Sequence, residues 1–362
     1  LEFEPEILKR YVNFMSNPDE ETAIKQFGTD DKYFGTCMLM ITLPGLPMLA
    51  HGQVEGYTEK YGMEFKKAYY NESPNQWLVE RHKREIFPIL KKRYLFSEIY
   101  NFWFFDFHDN IGYINENVYA YTNVYRNERA LVFYNNKYDS AFGRIKYSAP
   151  KLVNTGNGNK EIQTRSLADS LNIKNDYKHF YIFREHISGL EFIRSGDELH
   201  NDGFYVELGG FKYLIFWEFR EVFDENGEFR NLRNKLGGNG TNSIAGMLYE
   251  ERLRPVHEAV ENVVDEKTLQ TFIDEIVLKE KKTDGLSGNI RFMVNRFGQL
   301  INLLNERYQL HADVNIAVND LEESLLAIKD LRSTLKQALS QDMYHRYVDA
   351  EKVLPIGADW NY

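Results

Sequence analysis

The chain has 362 residues, 43% of them apolar and 27% charged, enough for two or three globular domains. Its net charge of −10 argues against a nucleic-acid partner, because that affinity rests on Lys and Arg neutralising phosphates. No membrane partner is expected either: the longest apolar run, residues 37–50, is broken by Pro44, Gly45 and Pro47 and falls short of the roughly 18–20 residues that span a bilayer.

In chain order, residues 1–97 read as strand, helix, strand, helix. The opening Leu1-Glu2-Phe3-Glu4 is acidic where a signal peptide carries a basic region, so the expectation leans to the cytoplasm, although a piece of a longer chain would not display its leader. Residues 11–15 are short and apolar and predict a buried strand. Asp30 or Asp31 can cap a helix running to about Leu43, where Pro44-Gly45 stops it, and residues 46–50 predict a second buried strand. Residues 80–93 place Ile86, Phe87 and Leu90 among charges, an amphipathic helix in spite of Pro88.

From 98 to 220 the character changes. The runs 101–107, 118–125, 130–135, 180–184, 204–208 and 213–219 are aromatic and β-branched, with turn signals such as Arg126-Asn127, Ser188-Gly189 and Gly209-Gly210 between them. This is the pattern of an antiparallel β domain. Residues 154–159, two Gly and three Asn among them, predict a flexible loop. Phe102, Trp103, Phe104 and Phe105 in succession cannot all face one way. After 221 the reading is helical: 248–278, 290–308 and 321–339 carry apolar residues at three- and four-residue spacing, with breaks at Gly237-Gly238-Asn239-Gly240 and Asp284-Gly285. Helices of this kind pack as a bundle.

Two segments near the N-terminus carry the functional signal. They are Phe14-Met15-Ser16-Asn17-Pro18-Asp19-Glu20 and, about thirty residues on, Leu43-Pro44-Gly45-Leu46-Pro47-Met48-Leu49-Ala50-His51-Gly52-Gln53-Val54-Glu55-Gly56. Each reads as a strand ending in polar residues, the look of consecutive strands of a (β/α) barrel whose functional groups sit at the C-terminal ends. Their spacing and residue types resemble the last two strands of the α-amylase family of glycoside hydrolases. Phe14, Asn17 and Asp19 align with the seventh-strand motif Phe-x-x-Asn-His-Asp, with Pro18 where that motif has a sugar-binding histidine. Gly45, Pro47, Gly52 and Gln53 fit the eighth-strand pattern Gly-x-Pro-x-x-x-x-Gly-x-Glu, with Glu55 one place late.

The resemblance implies a multidomain α/β, all-β and all-α chain: the last two βα units of a (β/α)8 barrel in 1–97, an antiparallel β domain in 98–220 and a helical domain in 221–362. It implies the C-terminal portion of a retaining glycoside hydrolase or transglycosylase acting on α-glucans, with Asp19 as the third acid, which holds ring hydroxyls and favours the distorted sugar. The two principal carboxyls of such enzymes, a nucleophile and an acid/base about 5–5.5 Å apart, are not in this segment. No Gly-x-Arg-x-Asp nucleophile motif occurs, and fewer than 100 residues precede the β region, against about 250 for a full barrel. The expected partners are therefore an α-glucan or oligosaccharide and the missing N-terminal part of the barrel, in the parent chain or a second polypeptide.

Asn17, His51, Tyr57 and Tyr61 are the substrate-binding candidates, with Tyr57 or Tyr61 as a stacking platform; an ordinary solvated loop is the competing reading. Gln53 and Glu55 are expected to brace the strand ends. Asn-Pro-Asp-Glu is by itself also a good turn or cap sequence. Asp106-Phe107-His108-Asp109 fits solvated strand-end residues better than a metal cluster, because alternation leaves one His with one or two carboxylates on a face. Arg81 and His82 with Glu85 read as surface pairs. The only cysteine, Cys37, is expected to be a small buried hydrophobe. The glycines at 237–240 lack a following Lys-Ser or Lys-Thr and do not make a phosphate loop. No cofactor and no metal are called for. Two further readings compete: a non-catalytic carbohydrate-binding or scaffolding protein derived from an amylase-like fold, which Pro18 favours, and a β-sandwich sugar-binding module.

Overall fold

The structure, a computed structural model, describes residues 4–60, 66–156, 159–278, 285–343 and 345–346. After a 3-10 turn (Pro5–Arg10) come β1 (Val12–Phe14), α1 (Ala23–Phe27), α2 (Asp31–Thr42), β2 (Leu46–Met48), α3 (Gln76–Arg81), a π-helical turn (His82–Ile86), α4 (Phe87–Lys91) and α5 (Arg93–Phe96). The β region holds β3 (Trp103–Phe105), β4 (His108–Asp109), β5 (Val118–Tyr125), β6 (Glu128–Asn135), β7 (Ala141–Ile145), β8 (Lys151–Gly156), β9 (Asn159–Gln163), α6 (Leu167–Ser170), β10 (His179–Glu185), β11 (Glu191–Ser195), α7 (Gly196–Asn201), β12 (Phe204–Leu208) and β13 (Tyr213–Phe223). Helices α8 (Glu228–Leu236), α9 (Ile244–Val263), α10 (Glu266–Leu278), α11 (Gly285–Tyr308) and α12 (Val314–Ala338) follow. By compactness it divides into residues 1–248 and 249–362.

β1 and β2 pair in parallel, Val12 opposite Leu46, Asn13 opposite Pro47 and Phe14 opposite Met48. Parallel neighbours need a crossover, and α1 and α2 supply it. Arg93 closes the C-terminal end of α2, donating from Nη2 to the carbonyl oxygens of Leu43 (2.8 Å) and Gly45. The apolar character of both strands implies burial, and here the structure differs. Val12, Phe14, Leu46 and Met48 are 44%, 43%, 63% and 36% exposed. The reason is that among the described residues this sheet has only two strands, whereas parallel sheets are ordinarily covered on both faces.

The predicted helix over 80–93 starts earlier, at Gln76, where Asn75 Oδ1 accepts the Leu78 N–H at 3.3 Å. It is not continuous. Pro88 lacks an N–H and would crowd the Arg84 carbonyl; the chain widens into the π turn and restarts with Pro88 in the first turn of α4, where proline is tolerated.

An antiparallel six-stranded sheet, ordered β11-β10-β13-β6-β5-β3, is the spine of the first unit. On one face Phe102, Tyr121, Val132, Tyr134 and Ile215 pack against Phe34, Cys37, Met38 and Ile41 of α2. On the other, Trp103, Phe105, Phe133, Phe183 and Phe216 meet Phe204, Val206 and Leu208 of the three-stranded sheet β12-β7-β4. The aromatic run 102–105 is divided between these cores by strict alternation: Phe102 and Phe104 to the helix side, Trp103 and Phe105 to the sheet side. Gly35 lets α2 approach β6; a Cβ there would lie 2.1 Å from the Tyr134 ring. A third core joins Phe180, Ile182 and Ile193 to Leu232, Ile244 and Leu248.

Residues 154–156 and 159, which fall in the predicted loop, are strand. Asn154 pairs with Lys160 and Gly156 with Asn159 at the tip of the β8–β9 hairpin; residues 157–158 lie outside the described residues. The helical stretch 248–278 is two helices, because Asp265 Oδ1 accepts the Thr268 N–H (3.1 Å) and caps a new start at α10. In the second unit Phe272, Ile290, Met293, Val294 and Leu325 form a small core among α10, α11 and α12.

Candidate functional site

The C-terminal ends of β1 and β2 are brought to the same side by parallel pairing, and each runs into a polar turn. After β1, Asn17 Oδ1 accepts the backbone N–H groups of Asp19 and Glu20, both at 2.8 Å. This is the turn that Asn followed by Pro favours, with Pro18 fixing φ between the two. Asn17 thus spends its carbonyl oxygen on shaping the turn, and Asp19 is presented at the exposed apex. Gln26 of α1 holds the strand end from below, donating to the Met15 (3.2 Å) and Glu21 (2.6 Å) carbonyls.

After β2, residues 51–56 turn back sharply. Gly52 adopts φ +70° and a Cβ would lie 2.7 Å from the Tyr57 ring, so the turn needs glycine both for its backbone and for its contact. Tyr57 donates its N–H to the Gly52 carbonyl (2.9 Å). His51 is exposed, and its ring is tilted 58° to that of Tyr57 with centroids 6.4 Å apart. Tyr61 lies outside the described residues.

Gln53 links the two ends. It is 3% exposed; its Oε1 accepts the Ala50 N–H at 3.1 Å and its Nε2 donates to Met15 Sδ at 3.4 Å. Glu55 contributes through its backbone, its carbonyl accepting from the Asn75 N–H at 2.8 Å. A second tie runs from Lys60, whose Nζ donates to the Asp19 carbonyl at 2.7 Å.

Sequence reasoning passed over two features here. The first is a reciprocal pair of carboxylates. Glu72 accepts the Thr58 N–H and hydroxyl (both 2.7 Å) and the Glu59 N–H (2.8 Å). Glu59 in turn accepts the N–H groups of Tyr69 (2.7 Å) and Tyr70 (3.0 Å). Burial alone would raise the Glu72 pKa, but the donors from Thr58 and Glu59 and the charge of Lys25 outweigh it and hold the group below the usual carboxylate range. Nothing in the sequence marks acids whose partners are backbone amides. The second is a buried chain from Leu78 through His82 and Tyr33 to Gln53, hidden because its members lie up to 49 positions apart.

The surface-pair reading of Arg81, His82 and Glu85 is corrected. His82 is fully buried and Glu85 is 3% exposed. Arg81 grips Glu85 with two donors, at 2.9 and 3.0 Å, and the same carboxylate accepts from Arg84 (2.6 Å) and the Tyr213 hydroxyl (2.6 Å). The sheet face of β13 closes over what an isolated helix would leave in water. Cys37 is buried, and burial pushes its thiol up to about 12, which leaves it inert as a nucleophile.

Asp109 Oδ1 accepts the N–H groups of Ile111 (3.0 Å) and Tyr113 (2.9 Å) and closes a turn. Among the described residues no group of three or more His, Cys, Asp or Glu side chains gathers to hold a metal ion. Gly237 ends α8 with a left-handed residue, and the Gly238 carbonyl accepts from Arg194 at 2.9 Å. Among the described residues no helix is long and apolar enough to cross a membrane.

Chemically, among the described residues, the corner offers an exposed carboxylate on a constrained turn and an exposed imidazole beside a phenol. No family model matches the chain, and no curated protein sequence matches it. Among solved structures, an α-amylase from Geobacillus thermoleovorans complexed with acarbose aligns at TM-score 0.36 and 13% identity, over 57% of this chain and 38% of that one. An Anoxybacillus α-amylase described as a new glycosyl hydrolase subclass aligns at TM-score 0.33 and 12% identity, over 59% and 38%. CldA, a cyclomaltodextrin glucanotransferase with a three-domain arrangement, aligns at 0.34 and 14%, over 59% and 38%. The chain spans less than two fifths of the length of each, and the functional reading rests on its own residues.

Proposed function

We propose that this chain is the C-terminal portion of a retaining α-glucan-active glycoside hydrolase or transglycosylase, completed by an N-terminal barrel segment from the parent chain or a second polypeptide. Residues 1–97 then supply the last two βα units, 98–220 the β domain and 221–362 a helical extension. The observation that carries the reading is the parallel β1–β2 pair joined by a helical crossover, with the apolar face of Val12, Phe14, Leu46 and Met48 exposed and the Asp19 and His51 turns at one end. Asp19 acts as the third acid, gripping ring hydroxyls as positive charge develops on the sugar; Asn17 shapes its turn, and His51 and Tyr57 line the mouth. The nucleophile and acid/base come from the completing segment.

Native mass spectrometry of the purified particle is the first test. A second polypeptide able to supply the other six strands supports a split active site. In that assembly Asp19→Asn should abolish measurable turnover of α-glucans, a loss of at least about 10²-fold for one preorganised charge. Unchanged turnover would remove Asp19 from the chemistry. Pro18, in the place of the family's sugar-binding histidine, favours a second reading, a non-catalytic α-glucan-binding or scaffolding protein. In that case the assembled particle binds oligosaccharide, and Asp19→Asn leaves every rate at background.

A further inference from the structure

Three contacts run end to end through the core beside the β1–β2 corner. The Leu78 carbonyl lies 2.9 Å from His82 Nδ1, His82 Nε2 lies 3.2 Å from the Tyr33 hydroxyl, and that hydroxyl donates to the Gln53 carbonyl at 2.8 Å. Leu78, His82 and Tyr33 are all fully buried, so water does not repair a missing bond. The chain begins and ends on backbone carbonyl oxygens, which bring no proton. Three contacts need three protons. The Tyr33 hydroxyl holds one and a neutral imidazole holds one, which makes two. Only an imidazolium brings the count to three.

With His82 neutral and its proton on Nδ1 toward Leu78, the Tyr33 hydroxyl must choose between His82 Nε2 and the Gln53 carbonyl. With His82 charged, Nε2 donates to Tyr33 and Tyr33 is committed to Gln53. Gln53 is the residue that joins the two strand ends, through Ala50 and Met15, and His82 opens the π turn, a local widening often found at functional places. We infer that His82 is a positioning residue for this corner: as the imidazolium it pins the Gln53 carbonyl through Tyr33, and as the neutral ring it sets Tyr33 free to leave one of its two partners. The device is independent of the reaction the corner serves.

The charged and titratable groups around the ring come from three elements. Arg81 and Glu85 share its helical stretch, Glu55 comes from the turn after β2, and α2 contributes Tyr33 with Cys37 behind it. Burial pushes the His82 pKa down, the Leu78 carbonyl and the Glu55 and Glu85 charges pull it up, and Arg81 pushes it down again; the balance lies below the ordinary value. The change of state therefore falls on the acid side of about 6.5. Because the folded value is depressed, protonation costs the fold stability as the pH drops through it, even as it completes the chain.

The test is a titration of the full chain, labelled with ¹⁵N and ¹³C, from pH 7.5 to 5, reading the His82 ring nitrogens and the Gln53 carbonyl carbon by NMR. The expected result is a neutral ring protonated on Nδ1 at pH 7.5, and a Gln53 carbonyl shift that moves with the His82 midpoint. Tyr33→Phe should abolish the carbonyl shift while His82 still titrates. A Gln53 carbonyl that ignores the His82 midpoint overturns the inference, as does an Nε2-protonated ring at pH 7.5 or a ring that never titrates in the range. If Tyr33→Phe does not fold, the coincidence or divergence of the two wild-type midpoints decides by itself.

Discussion

Glu85 shows how a single residue changes meaning with its surroundings. Four donors from Arg81, Arg84 and Tyr213 converge on one carboxylate. Burial alone would raise its pKa; the hydrogen bonds from Arg81 and Tyr213 and the Arg81 charge reverse that and hold it below the usual range. Removing Arg81 takes two of the four donors and leaves the exposed Arg84 as the remaining counterion of a buried charge, so Arg81→Ala should cost up to about 3–5 kcal/mol in urea denaturation at neutral pH. The pH dependence has a definite sign. A depressed carboxylate contributes stability that is complete above its unfolded pKa of about 4.3 and drains away as the pH falls through the lower folded value. Glu85→Gln should flatten that acid limb in a stability–pH series while lowering the plateau at neutral pH.

Between elements, close approach and carbonyl capture do the holding. Helix α2 rests on β6 through Gly35, and a methyl group there has no room beside Tyr134. Gly35→Ala should destabilise the chain by about 1–3 kcal/mol, the range for overpacking, measured by chemical denaturation. Lys151 of β8 is a second fastening. It is buried, and its Nζ donates to the carbonyls of Ile99 (2.8 Å), Tyr100 (3.0 Å) and Phe102 (2.9 Å) while lying 4.4 Å over the Trp103 ring. Burial brings its pKa down to about 8. Lys151→Met keeps the bulk and removes all three donors, and should cost at least about 1–3 kcal/mol, the penalty for leaving even one buried acceptor unmet. Thermal unfolding measures the loss, and amide exchange in residues 99–102 should rise with it.

At the scale of the molecule, each unit carries its own packing: three cores lie within residues 1–248 and, among the described residues, a fourth lies within 249–362. Removal of residues 249–362 should therefore leave the near-ultraviolet circular dichroism of the aromatic cores, rich in Trp103, Phe133, Phe183 and Phe216, unchanged. A collapse of that signal would mean that the helical part is needed for the sheets to fold. The exposed parallel pair β1–β2 is the place where unit 1 is least self-sufficient, since it leaves the apolar face of Val12, Phe14, Leu46 and Met48 exposed, and edges of this kind pair with other strands. That is the physical ground for seeking a completing segment before any assay of the isolated chain.

Alternation and punctuation made much of this architecture legible from the residues alone. The strands Val118–Tyr125 and Phe204–Leu208 have the limits their runs predict, and α2 begins and ends within a residue of its expected Asp30 cap and Leu43 end. Strands β7 and β11 escaped notice because they are five residues long and carry Gly or charged residues, too little alternation to stand out. The hairpin at 151–163 was masked by a loop-like composition, and the division between α9 and α10 by an unbroken apolar period. At the candidate site, local signals reached the Asn17 turn, the glycine of the β2 turn and the bracing role of Gln53. They did not reach the burial of Arg81, His82 and Glu85, the Glu59–Glu72 reciprocity or the Tyr33 chain. Periodicity, caps and turns are properties of neighbours in sequence, so one chain's residues determine them. Burial and proton count depend on which distant element arrives to exclude water, and for His82 and Glu85 that was decided only when α2, β13 and the turn after β2 closed around the π turn.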